Sequence, residues 1–422
     1  MKKALILNNI ASAGSIFWRI CGQLLLPPLL MAVWGTDRYG EWLLIASIPM
    51  LLSVTDLGFT DAASAEMLME LAKGNRNKAL GIFQSTLLLI VGVSSFICLL
   101  MSGILFLDHV NIGSIAFSRD DILAIYLLVF YSILQIFSRF VLGTLKAGGY
   151  YAASTLVYDV IQFSEGISMF VVARLGGSFL MCGAVYVAIR LVNIAVLLVM
   201  QKRALPWLLF GTRQASRGEI LRLTAPALAA MAIPLALAMN FQGMVWIAGS
   251  VLGPTAAAVV GTVRTASRVV IQLIGIFSRA AMPLYSASYA TEDKRTQNLL
   301  QRINTYLTVF LLVPGGILFA VIGNALVSLW THGKIQSDQD FLVLMAIATV
   351  LHGIWFFRCN LLLAINQHTQ FALLLTVLTA LALIAAIPAV HAWGLDGVGG
   401  MVIGLELLTV LGLFRLQYKG AG

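Results

Sequence analysis

The stretch LGPTAAAVVGTVRTASRVVIQLIGIF, residues 252–277, has no acidic residue and only two charged ones, Arg264 and Arg268. At about 1.5 Å of rise per residue it is long enough to cross a hydrocarbon layer about 30 Å thick. It is apolar on every side, so a helix built from it presents no wet face. Runs of this kind recur along all 422 residues. The chain is 60% apolar and 11% charged, with mean hydropathy +0.93. A soluble domain is nearer half apolar and a quarter charged. These features predict an all-α integral membrane protein.

Twelve spans are expected, at about 11–34, 40–65, 80–107, 121–145, 152–174, 178–200, 222–249, 255–285, 303–330, 340–364, 370–391 and 395–416. The N-terminus, MKKALILNNIASAGSIFWRICG, pairs two lysines with an apolar run in the manner of a signal peptide. Asn8, Asn9 and Arg19 interrupt that run, and it reads better as the approach to the first span. With this end inside, sixteen lysines and arginines fall in cytoplasmic links and four on the other side. That bias places both termini in the cytoplasm. It also accounts for most of the net charge of +9 without a nucleic-acid partner.

The longest link, 201–222, divides the chain into a first bundle (1–205) and a second (206–422), each of six spans. Gly35 and Gly253 follow corresponding spans and are 253−35 = 218 residues apart; Gly176 and Gly394 share that offset. The basic links LAKGNRNKALG (71–81) and YATEDKRTQNL (289–299) lie between them in register. An even number of spans per half makes the repeats parallel, forming two bundles around a central cavity that opens to either side in turn.

Seven arginines fall inside the spans: Arg19, Arg139, Arg190, Arg264, Arg268, Arg279 and Arg358. Each is unfavourable by about 2.5–3.5 kcal/mol at a helix centre. Arg139, Arg190, Arg279 and Arg358 either snorkel to a span end or face a cavity. Arg264 and Arg268 lie about 16 and 22 Å below Gly253, too deep to snorkel easily. On a helical wheel they share one arc with Gly261, Gln272, Gly275 and Arg279. Such a basic stripe suits an anion-binding cavity, with Arg264, Arg268, Arg19, Gln272 and Arg279 as candidate contacts; pairing with carboxylates from other spans is the alternative. Of the acids, Asp56, Asp159 and Glu165 are the candidate ion-coupling residues, Asp159 and Glu165 sharing a broad face of span five. Intramembrane carboxylates mark ion or proton sites unless they pair with arginine. Glu406 is a further acid, in span twelve.

Catalytic signals are thin. The five histidines (His109, His332, His352, His368, His391) are scattered, and neither a HExxH motif nor a phosphate loop occurs. No enzyme activity, metal or cofactor is expected. Cys21, Cys98, Cys182 and Cys359 sit in apolar runs and form no CxxC pair.

The stretch 34–67 resembles the N-terminal pattern of bacterial polysaccharide flippases of the Wzx type, through Trp34–Gly35, Tyr39–Gly40 and Asp56–Leu57–Gly58. Residues 252–293 are similar to the same family's span eight, through Leu252–Gly253–Pro254, Arg264, Arg268 and Pro283. These motifs belong to the wider multidrug/oligosaccharidyl-lipid/polysaccharide (MOP) exporter superfamily. The resemblance implies flipping of an undecaprenyl-pyrophosphate-linked oligosaccharide, such as an O-antigen unit, across the bacterial inner membrane. It implies coupling to a proton or sodium gradient, with lipids and polysaccharide-assembly proteins as neighbours. A multidrug exporter of the same superfamily is the alternative, but it would favour organic cations and an acidic cavity. A membrane glycosyltransferase or polymerase would be expected to carry acidic motifs in sizeable outer loops, and the outer links here are short.

Overall fold

The computed structural model of the protein describes residues 2–54, 59–106, 109–113, 115–365 and 367–419, with side chains left out at 2–13 and at scattered positions that include Asp61, Arg279 and Pro283. Nearly all of it is helix. The elements are α1 (Lys2–Val54), α2 (Phe59–Ala72), α3 (Arg76–Ser102), α4 (Arg119–Ala147), α5 (Tyr151–Arg174), α6 (Phe179–Ala204), α7 (Arg217–Leu252), α8 (Pro254–Ser267), α9 (Val269–Ala290), α10 (Lys294–Leu307), α11 (Val313–Trp330), α12 (Gln339–Ala364) and α13 (Thr369–Lys419). A small hairpin, β1 (Val110–Ile112) with β2 (Ile115–Phe117), lies between α3 and α4. Among the described residues nine helical stretches are long and apolar enough to cross a membrane.

Local chemistry explains where helices begin. Ser118 and Asp121 form a reciprocal capping box at the start of α4, and the Ser178 hydroxyl accepts from the Met181 N–H at the start of α6. Asp293 accepts from the Arg295 and Thr296 N–H groups at 3.0 and 3.2 Å and so opens α10.

Helix corners differ from the expected loops. α1 runs from the first expected span into the second, turning at Gly35 with φ 77° and ψ 177°. Gly253, between α7 and α8, has nearly the same conformation, φ 99° and ψ 169°. That region of backbone space is essentially restricted to glycine. Gly176 (φ 80°) separates α5 from α6, and Gly394 (φ 58°) breaks α13. Both glycine pairs at the 218-residue offset therefore serve as corners where one helix passes into the next.

The expected single span 255–285 is two helices. α8 ends at Ser267, and Arg268 has φ −86° and ψ 0°. Thr265 Oγ1 donates back to the Gly261 carbonyl at 2.7 Å and Ser267 Oγ to the Arg264 carbonyl at 3.2 Å. Such back-bonding weakens a helix from within. The stripe read from one ideal wheel is therefore interrupted at Arg268. The expected span 303–330 starts earlier, since helix is continuous from Lys294 to Trp330. It includes a π turn at Thr308–Leu312, just before Pro314, which has no N–H to offer the regular ladder.

Packing divides the chain into two compact units. One comprises Met1–Trp34, Ile45–Ile112 and Ala116–Pro234; the other comprises Gly35–Leu44, Gly113–Ile115 and Leu235–Gly422. In the first unit α4 lies along α6, and Phe83 stacks on Phe140 with ring centroids 5.0 Å apart. The link after α6 is pinned to α3: Gln84 accepts from the Gln214 N–H and donates to the Leu209 carbonyl, and Ser85 accepts from the Ser216 N–H. The division consequently falls within α7, beyond this link. In the second unit α12 packs against α9, α11 and α13. There the Trp246 indole donates to the Leu44 carbonyl at 3.1 Å, and Gly40 lies against the Pro254 carbonyl.

Candidate functional site

Three segments of the second unit converge on a small cavity of about 20 Å³. Arg264, Ser267, Arg268 and Ile271 line it from the α8–α9 junction, Met345, Ala348, Thr349 and His352 from α12, and Val402 and Glu406 from α13. This volume has room for about one water molecule.

Arg264 is 4% exposed. Its Nη1 donates to the Asn240 carbonyl at 2.9 Å and, more weakly, to the Phe241 carbonyl at 3.4 Å; its Nη2 donates to Asn240 Oδ1 at 3.1 Å. Its guanidinium lies 4.9 Å from the centre of the Phe241 ring. Main-chain and side-chain oxygens of α7 thus meet this cation, and neither is a carboxylate. Arg268 lies over the same Phe241 ring, 5.7 Å from its centre, but its hydrogen bond is to α12, with Nη2 3.2 Å from His352 Nε2. His352 Nδ1 is 3.0 Å from Glu406 Oε1, and the Trp355 indole donates to Glu406 Oε2 at 2.6 Å. With the break at Arg268, two arginines one turn apart take hydrogen-bond partners on different helices, α7 and α12.

The proton positions follow from donor inventory. A guanidinium only donates, so His352 Nε2 accepts and its proton is on Nδ1, directed at Glu406. The imidazole is then neutral and Glu406 is ionised. Two guanidinium groups face one carboxylate among the described lining residues, leaving one positive charge in the cavity wall. A buried charge without a partner is strongly unfavourable, so the arrangement favours an added anion.

No protein-family model matches the chain, and no curated protein matches it by sequence. Solved structures match along its whole length. An inward-facing multidrug-resistance MATE family transporter of the MOP superfamily superposes with TM-score 0.72 at 14% identity, over 95% of this chain and 94% of that one. The lipid II flippase MurJ, in an inward closed conformation, gives TM-score 0.67 at 13% identity, covering 98% of this chain and 87% of that one. A MATE transporter in complex with MaL6 gives 0.65 at 15% identity, over 99% and 96%. The chain has the fold of the MOP-type membrane transporters.

The remaining candidate residues lie elsewhere. Gln272 is half-buried on α9, one turn past Arg268. Arg279 is on the same helix, but its side chain lies outside the described residues, as does all of Asp56. Arg19 is exposed on α1 of the first unit. Asp159 accepts a hydrogen bond from Ser15 of α1, and Arg19 and Lys146 are close enough to act on it electrostatically. Glu165 faces a different direction. Its Oε2 accepts from Arg190 Nη2 at 2.6 Å and from the Tyr131 hydroxyl at 2.8 Å. Asp159 and Glu165 therefore do not share a face of α5, because six residues turn a helix by about 240°. Arg190 is fully buried, bonded also to Ser138 and flanked by the Tyr131 and Tyr158 rings, so it does not snorkel.

In the sequence His352 is one of five scattered histidines. It and Glu406 are 54 residues apart, and only the packing of α12 on α13 joins them. The intramembrane placement of both residues was the sole available signal.

Proposed function

We propose that the protein carries an anionic, lipid-linked oligosaccharide head group across the bacterial inner membrane, from the cytoplasmic to the periplasmic leaflet. The observation that carries this reading is the pairing of buried Arg264 with half-buried Arg268, opposed by one carboxylate, Glu406, among the described lining residues. Arginine forms forked, charge-assisted bonds to phosphate oxygens, and its charge does not titrate away at ordinary pH. A diphosphate bridging lipid and sugar suits such a pair. A cavity with space for about one water admits that group only after the helices part, which fits alternating access. The membrane topology in this reading has twelve crossings. α1 and α13 each supply two, α8 with α9 supplies one, and both termini are cytoplasmic. The two six-span halves act as the moving bundles, with the packing boundary within α7 in place of residue 205. Arg19, Gln272 and Arg279 are further candidate contacts, and Asp56, Asp159 and Glu165 candidate coupling residues for protons or sodium. The partners are membrane lipids and other proteins of polysaccharide assembly.

Export of organic cations is the second reading, supported by the fold shared with MATE transporters. Reconstitution separates the two. In liposomes holding a fluorescent undecaprenyl-pyrophosphate oligosaccharide, the wild type should expose the label to an external quencher. Arg264→Ala and Arg268→Ala should slow this tenfold or more, because each removes charge-assisted bonds, and Arg268→Lys should recover only part. Ethidium movement at wild-type rate in both alanine variants, with no lipid flipping by the wild type, would support cation export instead.

A further inference from the structure

In the chain Arg268–His352–Glu406 the imidazole has one place for an added proton. His352 Nδ1 already carries a hydrogen directed at Glu406, and the lone pair at Nε2 is taken by the Arg268 N–H. A proton that binds His352 must therefore enter at Nε2 and displace Arg268. The resulting imidazolium keeps its bond to Glu406 Oε1, now as an ion pair, and sets an N–H against the guanidinium where an acceptor stood. Arg268 then has no hydrogen-bond partner on His352 and faces a like charge.

We propose that His352 is a proton-binding site that gates anion capture by Arg268. Neutral His352 holds Arg268 against α12; protonated His352 releases it to the cavity it shares with Arg264. The linkage has a fixed sign. A proton raises the affinity for the anion, and the bound anion raises the affinity for the proton by the same factor. This inference rests on the anion-carrying function proposed above and adds the group that senses pH.

The charged surroundings are few. Arg264 and Arg268 face His352 from α8 and the α8–α9 junction, and Glu406 faces it from α13. α11 and the π turn before it have no ionisable residue, and the ionisable residues of α9 begin at Arg279, eleven residues past Arg268. On α12 itself the ring is set by aromatic neighbours, with Trp355 edge-on at 4.6 Å and Phe356 stacked at 5.6 Å. The imidazole thus has a defined orientation in a residue that lines the cavity.

His352→Gln tests the gate without removing its polar contacts. The glutamine oxygen accepts from Arg268 and its amide donates to Glu406, a non-titrating copy of the neutral state. The probe is inorganic pyrophosphate binding to purified full-length protein in detergent, at about pH 8 and about pH 5.5. The wild type should bind about tenfold more tightly at the lower pH, within the usual range for coupled sites. His352→Gln should bind weakly at both. A second readout uses protein carrying ¹⁵N-histidine. The neutral His352 signal, assigned by its absence from His352→Gln, should be that of the Nδ1–H tautomer. An Nε2–H tautomer, or an equal pH response in both proteins, overturns the gate. Pyrophosphate binding by neither protein at either pH overturns the anion-carrying function itself, and the gate with it.

Discussion

At the scale of single residues, the protein handles buried arginine in two ways. Arg190 is neutralised: its partner Glu165 lies 2.6 Å away, both side chains are almost fully enclosed, and Tyr131 and Ser138 take further bonds. Removing one member leaves an uncompensated charge, which is unfavourable by about 3–5 kcal/mol. Arg190→Met and Glu165→Gln should each lower the melting temperature in detergent markedly, and the double variant should regain much of the loss. A double variant as unstable as the sum of the two singles would show that the pair does not act as a unit. Arg264 and Arg268 instead bond to carbonyl oxygens, an amide and an imidazole, all neutral groups. These bonds hold the guanidinium groups in place without cancelling their charge. That difference separates an arginine that supports the fold from one available to a ligand.

At the scale of elements, glycine corners and polar turns determine where the chain changes direction. Gly35 and Gly253 hold a conformation that a side chain disfavours by about 1–3 kcal/mol. Gly35→Ala and Gly253→Ala should lower thermal stability by about that much. Gly92→Ala, at a helical glycine of α3 with open space around it, should leave stability unchanged or raised. Thermal unfolding of the three purified variants checks this. The turn from α2 to α3 depends on Glu70. Asn75, Lys78 and Lys73 each donate to its carboxylate at 3.1 Å, and these bonds lower its pKa from 4.5 to about 2. A carboxylate with a lowered folded-state pKa stabilises the fold above its unfolded value, and the contribution fades as pH falls toward the folded value. The difference in melting temperature between wild type and Glu70→Gln should accordingly be full near neutrality and shrink between about pH 4.5 and about pH 2. A constant difference over that interval would exclude ionised Glu70 as its source.

At the scale of the whole molecule, the 218-residue offset recurs in the structure. α3 starts at Arg76 and α10 at Lys294 (294−76 = 218); α5 starts at Tyr151 and α13 at Thr369 (369−151 = 218). Asn75 and Asp293, at the same offset, precede α3 and α10. The buried charges nearly obey the repeat but change sign: Arg190 on α6 and Glu406 on α13 are 406−190 = 216 residues apart. Each unit encloses a polar cluster on the matching helices, built around a cation in one and a carboxylate in the other. Membrane-embedded helices, the repeat spacing and the unusual arginines were all legible in the sequence. Apolar length, glycine recurrence and buried charge are local or periodic properties, and a linear pattern carries them. The break at Arg268, the choice of α7 carbonyls for Arg264 and the joining of His352 to Glu406 were not legible. Each depends on which helix packs on which, and on the few ångströms that separate a donor from its acceptor. Sequence alone therefore determined that this chain fills a bilayer with cations inside it. Only the tertiary structure decided which cations are neutralised and which retain a charge to offer, because hydrogen-bond partners are chosen by distance in space and not by spacing along the chain.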